Sequence, residues 1–135
     1  MEIIRSRPQT TSGPPEWFTG SVFIDGITPG DTGSRLRAYR VHFSPSARTA
    51  WHTHPHGQVL HVTEGVGLVQ RRGGPIEEIR PGDTVHIDPG EDHWHGAGTV
   101  HFMTHLALQE AGEDGVDAVW GEHVSDEEYA AAPDS

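Results

Sequence analysis

The chain has 135 residues with 33% hydrophobic content, 17 Gly and 10 Pro, which suits one turn-rich domain with a core and leaves no room for a second. The formal net charge is -11, and 20 carboxylates outnumber 9 basic residues, all of them Arg; with no basic stripe to track a phosphate backbone, nucleic-acid binding is not expected. Cysteine and lysine are both absent, which excludes disulfides, thiolate catalysis, thiolate metal ligands and Schiff-base chemistry.

Residues 1–19 carry Pro8, Gly13, Pro14 and Pro15, which break any regular ladder and predict an irregular or edge arm. No apolar run there is long enough for a signal peptide or a membrane span, so a cytoplasmic protein with no membrane partner is expected. The chain then becomes a series of short β runs, at about 20–27, 36–43, 48–54, 58–63, 66–72, 76–79, 83–88, 92–96 and 100–109. Gly30-Asp31-Thr32-Gly33, Gly73-Gly74-Pro75 and Arg80-Pro81-Gly82-Asp83 punctuate them. Many short strands at near-regular spacing predict an all-β fold, an antiparallel sandwich or barrel.

Within Leu36–Phe43 the apolar face is Tyr39, Val41 and Phe43. In the run from Val100 to Gln109, one face carries His101, Met103, His105, Ala107 and Gln109, and the other Val100, Phe102, Thr104, Leu106 and Leu108. Such a strand is expected to be buried on both faces.

The character changes at Glu110. Residues 110–135 hold nine carboxylates and no Arg, which reads as a solvated surface tail. Ser125-Asp126-Glu127-Glu128 matches a capping box and predicts a short helix from about 126 to 132. The expected layout is an arm over 1–19, a β-barrel over 20–110 and an acidic C-terminal segment with a short helix over 111–135.

Chemistry concentrates in two histidine pairs. His52 and His54 stand two apart in a strand-like run, so both side chains point the same way, and His93 and His95 repeat the pattern. Neutral imidazole is the commonest protein ligand for transition metals, which makes each pair half of a metal site. His95 should line a cavity or serve as a hydrogen-bonded neighbour of the ligands. His105 has the parity of an inward residue and reads as an acid/base or as a satisfied core histidine. His56 sits in a Pro55–Gly57 turn and is expected to be exposed, while His42, His61, His86 and His123 point away. Trp51 and Trp94 are expected to pack an outer wall.

On these residues the chain resembles the cupin superfamily over roughly residues 35–110. The family's first motif, Gly-x5-His-x-His-x3,4-Glu-x6-Gly, is met by His52, His54, Gln58 and Gly65. Its second, Gly-x5-Pro-x-Gly-x2-His-x3-Asn, is met by Gly82, Gly90 and His93. Ser46 stands for the first Gly, Gln58 for Glu, Asp88 for Pro and Ala97 for Asn. The resemblance implies a single-domain jelly-roll barrel and a metal held by His52, His54, Gln58 and His93. A glutamine oxygen can ligate, but it brings no charge, so a divalent ion there keeps its full charge, which favours Lewis-acid over redox chemistry.

The runs Ala47–Pro55, Pro89–Ala97 and Met103–Ala107 are further similar to small bacterial cupins with manganese-dependent hydroxynitrile lyase activity, whose metal set is three His plus one Gln. That likeness implies a homodimer or homotetramer that binds Mn(II), with Fe(II), Zn(II), Co(II) or Ni(II) as alternatives, and acts on a small-molecule cyanohydrin. His105 and His95 would be the catalytic pair, and Tyr39, Val41 and Gln109 would shape the substrate pocket. A dioxygenase-like cupin and a non-catalytic small-molecule sensor carry the same sequence features.

Overall fold

A computed structural model describes residues 1–29 and 33–132, so Gly30-Asp31-Thr32 of the first expected turn lie outside the described residues. The elements run β1 (Thr11–Ser12), β2 (Phe18–Thr19), β3 (Val22–Gly26), β4 (Leu36–Phe43), β5 (Arg48–Thr49), β6 (His52–Thr53) and β7 (Gln58–Gly65). They continue β8 (Gly67–Arg71), β9 (Glu77–Ile79), β10 (Thr84–Ile87), β11 (His93–Ala97), β12 (Met103–Glu110), β13 (Val119–Trp120) and α1 (Asp126–Tyr129). This is the expected all-β jelly roll, with one short helix among the described residues. None of the described helical residues form a segment long and apolar enough to cross a membrane.

Two antiparallel sheets face each other. The first has the order β1-β3-β4-β12-β7-β10, and the second runs β13-β6-β11-β5-β2 with β8 added beside β11 and β9 beside β8. Between them lies an apolar core that includes Phe43, Leu60, Val62 and Met103, none with measurable exposure. Truncating a residue such as Phe43 to Ala typically costs about 3–5 kcal/mol in lost burial and residual cavity. The arm enters this architecture at both edges: β1 pairs with β3, β2 pairs with β5, and Phe18 reaches the core.

The expected strand over 48–54 is interrupted, because its middle finds other partners. Ala50 N–H donates to Trp17 O at 2.8 Å and Trp51 N–H to Glu122 O at 2.9 Å, so the backbone leaves the ladder and rejoins it at His52. The run expected from 100 begins only at Met103. Val100 and Phe102 are 63% and 40% exposed and Leu108 is 36% exposed, so the two ends of that face are open to solvent while Thr104 between them is buried.

The acidic tail is packed rather than merely solvated. Val119–Trp120 pairs with His52–Thr53, and Val124 and Tyr129 join Trp51, Leu68 and Trp94 in a second apolar cluster on the outer side of the second sheet, where the two tryptophans were expected. Buried Arg48 fastens this layer by donating to Val124 O at 2.9 Å while lying 4.3 Å from the centre of the Tyr129 ring. The capping box forms as read, with Ser125 and Glu128 bonded reciprocally. The helix stops at Tyr129 rather than near 132, since Ala131 and Ala132 donate three residues back, to Glu128 O and Tyr129 O, in tightened turns.

Ser46, which replaces the first motif glycine, has φ 70, and Gly65, Gly82 and Gly90 are likewise in the positive-φ region. The serine therefore keeps the left-handed turn that glycine ordinarily supplies, at a backbone cost glycine would avoid. Gly65 could not be replaced so simply, because a Cβ there would collide with the backbone oxygen of Phe102.

Candidate metal centre and cavity

Strand register delivers the donors to one place. His93 of β11 is directly paired with His52 of β6, and Gln109 of β12 is directly paired with Gln58 of β7. His54 follows β6 in a turn where its carbonyl accepts from both Gly57 N–H at 3.1 Å and Gly90 N–H at 3.0 Å, which ties the two motif loops together.

The three rings are oriented alike. Nδ1 of His52 bonds Ala50 O at 2.8 Å, Nδ1 of His54 bonds Asp117 O at 2.6 Å, and Nδ1 of His93 bonds Glu91 O at 2.9 Å. A carbonyl can only accept, so each Nδ1 carries the proton and each Nε2 presents a lone pair inward. This backbone tether on the far nitrogen is the usual support of a metal-binding imidazole. His54 Nε2 is buried without a partner. His93 Nε2 lies 3.1 Å from Gln58 Oε1, and the Gln58 nitrogen is turned away to donate to Gln109 Oε1 at 2.8 Å.

That contact sets one lone pair against another unless His93 is doubly protonated, and burial opposes this by pushing its pKa down to about 4. His52 is held well below the ordinary histidine value by burial and then by His93 and His54; His54 is lowered by burial, partly offset by its bond to Asp117 O. At neutral pH the Nε2 atoms of His52, His54 and His93 and the Gln58 Oε1 are all acceptors without a proton, the His54 ring centre lying 4.9 Å from that of His52 and 5.4 Å from that of His93. A cation fits this cluster.

His95 stands beside this group: one ring nitrogen each of His52, His93 and His95 lie within 4.8 Å of one another, a triad able to hold a metal ion. The expected ligand set and this triad share His52 and His93. His95 is fully buried, with Nε2 unpartnered and Nδ1 at 2.9 Å from His105 Nε2. Both rings are kept neutral by burial, which lowers His105 to about 4; His95 is held well below the ordinary histidine value by burial and then by the neighbouring His105.

His52, His54, Gln58, His95 and His105 border a cavity of about 400 Å³, whose lining does not include His93. Tyr39, Val41 and Gln109 line it, with His95 and His105, as their strand parity required. Burial and then the Asp117 carboxylate raise the Tyr39 pKa, so its phenol stays protonated. His42, His61, His86 and His123 lie outside this cavity and His56 is exposed. Local reading missed the wall built by distant segments: Trp17 and Pro14 from the arm, Asp117 and Trp120 from the tail. The one available signal was Val116, Val119-Trp120 and Val124 recurring in an otherwise acidic stretch.

Residues 39–104 match the cupin domain family, Cupin_2. The (R)-mandelonitrile lyase of Granulicella tundricola is 52% identical over 130 residues, covering 96% of this chain and 98% of that protein. The chain belongs to the cupin family. This cupin also superposes on a cupin-like protein of Thermotoga maritima with a TM-score of 0.85 at 36% identity, over 97% of each chain. The fold alone is shared with a polyketide cyclase of Streptomyces resistomycificus, at a TM-score of 0.63 and 24% identity over 95% of this chain and 82% of that one.

Proposed function

We propose that this cupin is a metal-dependent hydroxynitrile lyase, which splits a cyanohydrin into a carbonyl compound and hydrogen cyanide and runs the reverse addition. The observation that carries the reading is the approach of His93 Nε2 to Gln58 Oε1, two lone pairs aimed at one point with two further imidazoles around it. His52, His54, Gln58 and His93 would hold a divalent cation, Mn(II) foremost. All four are neutral, so a bound ion would supply an uncompensated Lewis-acid charge suited to an alkoxide or to cyanide.

The proton falls to the His95–His105 pair. His95 Nε2 takes the substrate hydroxyl proton while its Nδ1 proton passes to His105 Nε2 over the 2.9 Å bond. The C–CN bond breaks with its electron pair on carbon of the departing cyanide, and the proton returns through the same pair to that carbon. Tyr39, Val41 and Gln109 shape the space for the carbonyl substituent, with Tyr39 narrowing it. The lyase name of the relative that is 52% identical supports this choice of reaction over others open to the fold.

The test is an anaerobic assay of the Mn(II)-loaded protein with (R)-mandelonitrile, followed by the same assay in air with an oxygen electrode. Benzaldehyde release at equal rates in both, without oxygen uptake, is expected. Turnover only in air with stoichiometric oxygen consumption would replace the lyase reading with an oxygenase.

A further inference from the structure

A glutamine serves as a metal ligand only through its oxygen; rotated by 180° about its last bond it presents an NH2 group, which repels a cation. Something must therefore hold the Gln58 amide one way round. Its nitrogen donates to Gln109 Oε1 at 2.8 Å, and the Gln109 nitrogen donates to Asp117 Oδ2 at 2.9 Å. An ionised carboxylate only accepts. Asp117 thus demands the NH2 of Gln109, which leaves the Gln109 oxygen facing Gln58. That oxygen in turn demands the NH2 of Gln58 and leaves Gln58 Oε1 facing His93 Nε2 at 3.1 Å. Reversing either amide sets oxygen against oxygen or NH2 against NH2.

Register makes the relay possible, since Gln58 and Gln109 are directly paired across β7 and β12 and share the inward face. Asp117 arrives from the segment between β12 and β13, and its backbone carbonyl separately accepts from His54 Nδ1 at 2.6 Å. Among the described residues it is the one acidic group lining the cavity.

We infer that Asp117 is a positioning residue: a carboxylate set back from the metal that acts through two amides to keep the Gln58 oxygen turned toward the cation. The inference rests on the metal-site reading above. It explains how an uncharged ligand can stand where most cupins are expected to carry glutamate, because the orientation that a symmetric carboxylate would not need is imposed from outside. Replacing the Asp117 side chain leaves its carbonyl, and so the His54 tether, in place.

The experiment is calorimetric titration of MnCl2 into the metal-free full-length protein, wild type against Asp117→Ala, Asp117→Asn, Gln58→Glu and the double variant Gln58→Glu/Asp117→Ala, with thermal unfolding of each metal-free form. Asp117→Ala is expected to weaken Mn(II) binding about 10–100-fold, the usual effect of losing a group that orients a ligand, at an unchanged metal-free melting temperature. Asp117→Asn should lose less, because its oxygen can still accept from Gln109 without compelling it. In the Gln58→Glu background the two oxygens at position 58 are equivalent, so the Asp117→Ala effect should vanish or change sign.

Equal weakening in both backgrounds would mark a charge effect at a distance and overturn the inference, as would wild-type affinity in Asp117→Ala. Should Asp117→Ala not fold, Gln109→Leu cuts the same relay with the carboxylate retained and must show the same loss. A wild type that takes up no Mn(II) would remove the metal reading and this inference together, whereas equal uptake by wild type and Asp117→Ala removes this inference alone.

Discussion

Trp120 stacks on His52, ring centroids 4.5 Å apart and planes inclined by 26°, and it carries Trp17 of the arm in a second stack at 5.1 Å and 7°. The two ends of the chain therefore meet on a ring that belongs to the candidate metal site. Trp120→Ala is expected to destabilise the fold by about 3 kcal/mol from three lost aromatic pairs, with Trp17, Phe18 and His52, and to weaken Mn(II) binding about tenfold by freeing the His52 ring. Urea unfolding and metal titration check the two effects separately; unchanged metal affinity would show that the stack is only structural.

His52→Ala and His93→Ala are expected to abolish stoichiometric metal while leaving the barrel folded. Both rings lie beside the apolar core rather than forming it, and removing either relieves a crowd of lone pairs. Elemental analysis and circular dichroism decide the matter, and wild-type metal content in either variant refutes the assignment of that residue.

His105→Ala is expected to keep metal and fold while lowering cyanohydrin cleavage about 10²–10⁴-fold, the range typical of a positioned acid/base. A purely structural histidine would give the opposite pattern, with a depressed melting temperature and normal turnover per folded molecule.

Stability of the metal-free protein should fall on acidification below neutrality. His93 and His105 have folded pKa values of about 4, beneath the ordinary 6.5. Above pH 6.5 neither state is protonated at these sites and their contribution is whole. Between 6.5 and 4 the unfolded chain binds protons that the folded one refuses, so stability drains away, on the order of 3 kcal/mol for each residue by the foot of that window. Urea midpoints measured from pH 7.5 to 4.5 should decline through this range, and the two alanine variants should each flatten the decline.

Strand parity carried most of the site. His52, His95 and the series His105, Ala107, Gln109 line the cavity because alternation is a local property, whereas His54 reaches it from the turn after β6 and His93 lies outside its lining. The capping box at Ser125 was equally local. What lay beyond reach depends on partners distant in the chain. The break at Ala50–Trp51 exists because Trp17 and Glu122 supply carbonyl acceptors, and the helix end at Tyr129 follows from turn bonds of its last carbonyls. Asp117 and Trp120 sit in a stretch whose charge suggested solvent, yet strand β13 docks it against His52. Composition described that segment's surface and concealed its inward side.

The most direct measurement is reconstitution. The protein is stripped with a chelator and dialysed, then titrated with MnCl2 while bound metal and the rate of benzaldehyde release from (R)-mandelonitrile are followed together. No cleavage above background is expected from the stripped protein, with a rate that rises in proportion to occupancy and levels at one ion per chain. Cleavage by the stripped protein at the loaded rate, or a fully loaded protein that leaves mandelonitrile intact, would contradict the metal-dependent lyase reading.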